Sequence, residues 1–245
     1  MSQLIENFIE MMSVERAATQ NTLTSYRHDL NNLLRYLNRK KLTLEKVENA
    51  SMRQFFREIS NSGATSSSLA RHMSTIRQFY KFLFQENIIN DNPMNGIDGP
   101  KLGRTLPKLM SESSILKLIK HVKDLQIGSK LIHKKRLRHQ RFLSQIEILY
   151  STGMRVSELL SIKISDLNQH NYFLNVMGKG NKERIVPLTE EALGETRHYL
   201  DLLGYNRDLA KETYLYPGSR KNRCLTRQYF ASELKAYARG AGLDE

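Results

Sequence analysis

Residues 149–159 read Leu-Tyr-Ser-Thr-Gly-Met-Arg-Val-Ser-Glu-Leu and place Arg155 two residues after a glycine. The glycine predicts a turn, and a helix that begins near Arg155 would carry Arg155 and Glu158 on the same face. The carboxylate could then orient the guanidinium through charge-assisted hydrogen bonds. Because arginine and glutamate at this spacing also form ordinary surface pairs, this segment alone does not indicate a function.

A second distinctive segment follows at residues 178–188, which read Gly-Lys-Gly-Asn-Lys-Glu-Arg-Ile-Val-Pro-Leu. The residue types at 172–177 and 184–188 predict two strands, and the glycines and asparagine between them predict a hairpin turn. Lys179 would lie at the hairpin tip, where it could approach a phosphate or a leaving oxygen, although such lysines are also common as solubilising residues. The segment is not a nucleotide-binding loop, because its Gly-Lys pair is not followed by Ser or Thr.

The first part of the chain has a helical pattern throughout. Apolar residues recur at three-to-four spacing through residues 1–88, and we expect four helices there. The clearest two contain residues 23–37 and 69–84. A shorter helix is expected at 51–59, and residues 63–68 supply a turn followed by several candidate N-cap residues.

Residues that break helices and strands are concentrated at 90–107, where Asn, Asp, Gly and Pro are frequent. We therefore predict a linker at 90–107, between a helical domain at 1–89 and a second domain at 108–245. The basic run at 130–141 predicts either a phosphate contact or a solvated loop. Elsewhere in the second domain we expect helices at 111–122, 138–150, 190–203 and 226–241, and a short strand at 214–216.

The composition favours a soluble, cytoplasmic protein with a polyanionic partner. The formal net charge is +13, and both predicted domains have an excess of Lys and Arg, so both could bind one nucleic acid. Cys224 is the only cysteine, which excludes an intrachain disulfide and a cysteine-based zinc site. The first residues do not form a secretory signal, and no apolar run reaches the length needed to span a membrane.

Taken together, the segments at 149–159 and 178–188 resemble the first two catalytic blocks of the Xer-type tyrosine recombinases of the phage integrase family. The matching patterns are Thr-Gly-x-Arg-x-Ser-Glu-Leu and Gly-Lys-Gly-Asn-Lys-Glu-Arg-x-Val-Pro-Leu, at the spacing typical of that family. The similarity extends over essentially the whole chain. Further segments match the family in the same order, at residues 21–30, 100–102, 106–108 and 225–228.

The resemblance implies a mainly α-helical fold with a small β-hairpin or sheet. A helical, SAM-like core-binding domain and a mixed α/β catalytic domain would together clamp duplex DNA. In this family a tyrosine attacks a DNA phosphate and forms a 3′-phosphotyrosyl intermediate, with no metal and no other cofactor. The implied partners are duplex DNA and other recombinase protomers, in a homo- or hetero-tetramer on the DNA.

The resemblance also implies roles for particular residues. Arg155 matches a family arginine that stabilises the charge on the nonbridging phosphate oxygens, and Glu158 matches an acidic residue that supports it. Lys179 matches the general acid that protonates the leaving 5′-oxygen, and Lys182 is the alternative acid. Lys182 and Arg184 are expected to contact DNA. A second set of candidate DNA contacts lies on the helix at 69–84, where an exposed basic face is the alternative interpretation: Arg71, Arg77 and Lys81.

The family pattern continues with a His-x-x-Arg block, a further His or Trp, and the nucleophilic tyrosine, none of which has a counterpart in residues 1–245. The only string with the first spacing, residues 133–136, precedes Arg155, and none of the eleven tyrosines has the family context. We therefore expect the catalytic domain to lack its C-terminal part and the chain alone to be unable to cleave DNA. A nicked suicide substrate should then form no covalent adduct with the chain. Apolar residues of the incomplete core should be partly exposed: Ile146, Leu149, Leu159 and Ile162.

Three functions remain open from the sequence. The first is a Xer recombinase that acts in chromosome dimer resolution and partition, and the second is a naturally shortened DNA-binding protein without catalysis. Sequencing the gene beyond Glu245 would distinguish these two. The third is an integrase of a phage or mobile element, which often carries an additional N-terminal domain, whereas the helical pattern here starts at residue 1.

Overall fold

The structure is a computed structural model that describes residues 2–100, 103, 109–127, 133–168, 172–178, 183–204, 214–218 and 223–243. These residues divide into two units, one within 1–107 and one within 108–245. They form mostly α-helix with one small antiparallel sheet, which confirms the predicted secondary-structure class. Within the same ranges, none of the helices has both the length and the apolar character needed to cross a bilayer.

The first unit contains the four helices expected from the apolar spacing. Two of them begin at a threonine N-cap: Thr19 and Thr65 accept hydrogen bonds from backbone N–H groups three residues later, which satisfies donors that the helix leaves unpaired. The apolar faces meet in one core with Phe8 and Phe79 fully buried at its centre. The helices are α1 (Ser2–Val14), α2 (Gln20–Lys40), α3 (Asn49–Asn61) and α4 (Ser66–Gln85).

The chain after α4 remains packed on this unit before it continues. Ile97 is buried in the core of the unit. Asn49, Arg53 and Arg77 donate hydrogen bonds of 2.7–3.1 Å to backbone carbonyls within residues 93–97. The first part of the predicted linker is therefore held against the helical unit by three side chains.

The second unit is built around a central helix and a three-stranded sheet. The strands lie in the order β1-β2-β3 with antiparallel pairing, and Leu174 lies opposite Val186 on the face that joins the core. The elements are α5 (Glu112–Ile127), α6 (His133–Thr152), α7 (Val156–Ser161), a 3₁₀ turn (Ile164–Asp166), β1 (Leu167–Asn168), β2 (Phe173–Met177), β3 (Glu183–Pro187), α8 (Glu190–Leu203) and α9 (Arg227–Gly240).

The predicted hairpin strands and the last two helices are confirmed, whereas three other details differ. The strand β1 was not predicted, because a two-residue strand leaves no periodic pattern. The predicted strand at 214–216 is reduced to a single bridge between Tyr214 and Lys163. The basic run at 130–141 is helical from His133 onward, so the interpretation of that part as a solvated loop is wrong.

A buried carboxylate on α9 contacts the first half of α6. Glu233 is 2% exposed and accepts hydrogen bonds from Arg138 at 2.7 Å and from Arg141 at 2.8 and 2.9 Å. Two positive charges of the basic run thus face a single negative charge, which reduces the repulsion that disfavours such a run in a helix.

The core of the second unit is better covered than the sequence suggested. Ile146, Leu159 and Ile162 are at most 8% exposed, so the expectation that they are partly exposed is wrong, and only Leu149 is half-buried. The helix α6 packs against α5 and α8, and α9 packs against α5 and α7. These helices exclude water from the apolar residues that follow and precede Arg155.

Candidate active site

Arg155 is positioned by the turn between α6 and α7. Gly153 has a φ of +61°, in the left-handed region where a residue with a side chain is strained, and it ends α6. Arg155 is the N-cap residue of α7, with an extended backbone. Glu158 accepts a hydrogen bond from the backbone N–H of Arg155 at 2.9 Å and another from its Nη1 at 2.9 Å. The pair expected from the sequence spacing is therefore present.

A second guanidinium reaches the same carboxylate. Arg184, the second residue of β3, donates from Nη1 to Oε1 of Glu158 at 3.2 Å and from Nη2 to Oε2 at 2.8 Å. The Glu158 side chain is only 7% exposed. The hydrogen bonds from Arg184, followed by those from Arg155, outweigh the effect of burial and lower the pKa of Glu158 to about 2. Glu158 is therefore ionised at physiological pH.

The two arginines differ in how much of each remains available to a ligand. The Arg155 side chain is 69% exposed, and among the described residues its Nη1 is the only side-chain nitrogen with a hydrogen bond to an acceptor. The Arg184 side chain is 41% exposed, and both of its terminal nitrogens bind Glu158. Because a guanidinium has five N–H donors, Arg155 keeps a free donor edge for an external anion.

The contact between Arg184 and Glu158 was not predicted from the sequence, although one signal was present. Side chains two residues apart on a strand share a face, so Arg184 shares its face with the buried Val186. A charged residue on an inward face needs a partner of opposite charge. The sequence could not identify Glu158 as that partner, because the sheet first has to bring β3 beside α7.

Lys179 and Lys182 lie outside the described residues. The strands on either side of them pair as predicted, from Phe173 opposite Pro187 to Met177 opposite Glu183. The last described pair is therefore separated by five residues of chain that include both lysines.

The candidate DNA contacts of the first unit have different environments. Arg71 donates to Asp29, a fully buried carboxylate, yet 45% of the Arg71 side chain is exposed. Arg77 is exposed but donates to the carbonyl of Ile97 at 2.8 Å. Lys81 is exposed on the same helix. Two of the three basic residues thus also make contacts that stabilise the unit.

The comparisons with known proteins agree with this fold. Residues 5–87 match the phage integrase N-terminal SAM-like domain, and residues 108–245 match the phage integrase family. The tyrosine recombinase XerD of Rhizobium meliloti is 40% identical over 98% of this chain and 75% of its own length. That of Brucella suis is 37% identical over 99% of this chain and 78% of its own.

A solved structure has the same fold. The XerH site-specific recombinase, bound to palindromic difH substrate in a post-cleavage complex, superposes with a TM-score of 0.71 at 18% identity, over 98% of this chain and 69% of the other. The described residues of this chain thus have the same fold as that recombinase. The chain belongs to the phage integrase family. Within that family, the two relatives named above are tyrosine recombinases of the XerD type.

Proposed function

We propose that the protein is a site-specific tyrosine recombinase of the Xer kind, which breaks and rejoins duplex DNA during chromosome dimer resolution and partition. The observation that carries this proposal is the exposed Arg155 bound to a buried, ionised Glu158, in a chain 40% identical to a XerD recombinase. The family's catalytic blocks and the local geometry support the same site.

In the proposed reaction, a tyrosine hydroxyl gives its proton to water while its oxygen forms a bond to a DNA phosphorus, and the bond from phosphorus to the 5′-oxygen breaks. Arg155 donates hydrogen bonds to the nonbridging oxygens, whose negative charge increases in the transition state. Lys179, or Lys182 in its place, gives a proton to the leaving 5′-oxygen. Glu158 positions Arg155. None of the tyrosines in residues 1–245 is assigned as the nucleophile.

The proposed partners are duplex DNA and further recombinase protomers, either copies of this chain or a related recombinase, assembled as a tetramer on the DNA. The net charge of +13 supports binding to the DNA backbone. Because the substrate is chromosomal, the proposed location is the cytoplasm.

The test is recombination between two copies of a selected DNA site. Duplexes that the protein binds are first selected from a random pool, and we expect one imperfect palindrome, because protomers related by twofold symmetry bind inverted half-sites. Two copies are then placed on a plasmid, in cells that express the whole reading frame of the gene, because no tyrosine within residues 1–245 is assigned as the nucleophile. We expect deletion of the DNA between the copies. Arg155→Ala should reduce its rate by at least about a hundredfold, as for the loss of one charge-stabilising donor.

Arg239→Ala serves as the matched control, because Arg239 is also an exposed arginine of the second unit, at the end of α9. Its recombination rate should remain close to that of the wild type. Binding without any sequence preference, or an Arg155→Ala protein as active as the control, would contradict the proposed function.

A further inference from the structure

Glu158 is shared between two arginines in an unequal way. Its Oε1 accepts from Nη1 of Arg155 at 2.9 Å and from Nη1 of Arg184 at 3.2 Å. Its Oε2 accepts from the backbone N–H of Arg155 at 2.9 Å and from Nη2 of Arg184 at 2.8 Å. A carboxylate offers about four lone-pair positions, so these four hydrogen bonds saturate it.

This saturation determines the geometry of Arg155. An isolated arginine and carboxylate favour two parallel hydrogen bonds, which engage one whole edge of the guanidinium. Here Arg184 has that two-bond arrangement, and Arg155 contributes only one terminal nitrogen. The Arg155 side chain consequently remains 69% exposed, although it is tied to a buried group.

Arg184 also changes the charge around the phosphate site. Arg155, Glu158 and Arg184 together carry a net charge of one positive unit, since Glu158 is ionised with a pKa of about 2. Without Arg184 the remaining pair would be neutral, and the carboxylate would repel a phosphate that approaches Arg155. Arg184 therefore offsets a negative charge that would otherwise oppose anion binding.

We propose that Arg184 is a positioning residue of this site: by saturating Glu158, it keeps the donor edge of Arg155 free for the DNA phosphate and does not itself contact DNA. This inference rests on the proposed function, because it assumes that Arg155 binds a phosphate. It replaces the expectation from the sequence that Arg184 is a DNA contact.

The experiment compares the DNA affinity of three variants of the full chain as a function of salt concentration: Arg184→Gln, Glu158→Gln, and the double variant with both substitutions. In Arg184→Gln, both carboxylate oxygens of Glu158 should accept hydrogen bonds from the Arg155 guanidinium, so its donor edge is no longer free for DNA. We expect an affinity about tenfold lower and a salt slope smaller by about one phosphate contact. The double variant has the same net charge as the wild type and no carboxylate to hold Arg155. Its affinity should return to within about threefold of the wild type, with the slope restored.

A direct DNA contact by Arg184 predicts a different result. In that case the double variant would bind as weakly as Arg184→Gln, because the contact is missing in both, and this outcome would overturn the proposal. Arg27→Gln is the matched control. The Arg27 side chain is also 41% exposed and also pairs with a glutamate, Glu6, but that glutamate is 54% exposed. The effect of Arg27→Gln on DNA affinity should be the same with and without Glu158→Gln.

A second measurement needs no DNA. The rotation of the Arg155 guanidinium is followed by ¹⁵N NMR, and the carboxyl of Glu158 is titrated by ¹³C NMR. In Arg184→Gln we expect slower rotation of Arg155, because it gains a second hydrogen bond, and a Glu158 pKa that moves from about 2 toward its ordinary value. Unchanged or faster rotation would overturn the positioning role.

The two measurements separate the possible failures. If the wild type binds DNA without sequence preference, the proposed function fails, while the NMR result still decides whether Arg184 restrains Glu158. If Arg184→Gln does not fold, Arg184→Lys replaces it in the NMR measurement. It keeps the charge but cannot make two parallel hydrogen bonds, so its effects should have the same sign and smaller size.

Discussion

At the scale of single residues, the candidate site depends on a charge balance that the sequence shows only in part. The spacing of Arg155 and Glu158 predicted their contact, because both lie within one turn of helix. The third member, Arg184, comes from a strand 26 residues later than Glu158. No local pattern indicates which carboxylate a strand arginine will contact, so this part of the site required the three-dimensional fold.

The pH dependence of stability should report on Glu158. Because folding lowers its pKa from 4.5 to about 2, its contribution to stability is fully present above pH 4.5 and is lost as the pH falls toward 2. Glu158→Gln should reduce the free energy of unfolding by about 2 kcal/mol at pH 7, since hydrogen bonds to a charged group are removed. Urea unfolding of both proteins between pH 7 and pH 3 measures this. A difference that did not shrink toward pH 3 would contradict the assignment.

A glycine substitution tests the turn that presents Arg155. Gly153→Ala should lower the free energy of unfolding by about 1–2 kcal/mol, because an L-residue is strained in the left-handed region. No atom lies within 4 Å of the added Cβ, so the cost is one of backbone conformation alone. Gly194→Ala in α8 is the control: it also adds a Cβ in open space, but in a helix, and should stabilise by about 0.5–1 kcal/mol. Thermal unfolding should show opposite signs for the two variants.

At the scale of elements, most helices and the hairpin strands follow from local sequence. The apolar spacing at residues 1–88 is sufficient to predict α1–α4. The residue types at 172–177 and 184–188, with the turn residues between them, are sufficient to predict β2 and β3. The start of α6 at His133 is not predictable in this way. The positive charge of this run is partly balanced by Glu233, which is 95 residues later in the chain than Arg138.

The contact between α2 and α4 should depend strongly on one buried carboxylate. Asp29 is fully buried and accepts hydrogen bonds from Arg71 and, at 2.9 Å, from Thr75. Asp29→Asn removes the buried charge that pairs with Arg71 and should lower the free energy of unfolding by about 3 kcal/mol. Glu6→Gln, which breaks an exposed ion pair, should cost about 0.5 kcal/mol or less. Similar urea-unfolding midpoints for both variants would show that Asp29 does not join the helices.

At the scale of the whole molecule, the described residues form two hydrophobic cores, one in each unit. The composition change at 90–107 suggested this division, although the sequence did not show that residues 93–97 pack on the first unit. That packing involves backbone carbonyls as acceptors, and backbone acceptors are present in every residue. The sequence pattern therefore indicated that helices and strands are interrupted here, but not which unit residues 93–97 would pack against.

Because the first unit has its own hydrophobic core, we predict that it folds independently. A polypeptide of residues 1–107 should unfold cooperatively and give dispersed amide NMR signals, because its core is complete within the unit. A polypeptide of residues 1–89 is the matched comparison. It lacks Met94 and Ile97, both buried in that core, and should be less stable by about 2–4 kcal/mol. Equal stability of the two would show that the segment after α4 does not contribute.

The hydrogen bonds that hold residues 93–97 also shorten the tether between the two units. Ten residues, 98–107, remain between Ile97 and the second unit, and a chain of that length spans at most about 35 Å when fully extended. On the duplex that both units are proposed to contact, such a short tether would keep the second unit at an effective concentration in the millimolar range once the first has bound. Weak contacts by each unit would then combine into one tight complex, and loosening the 93–97 segment would lower its avidity without removing any contact to DNA.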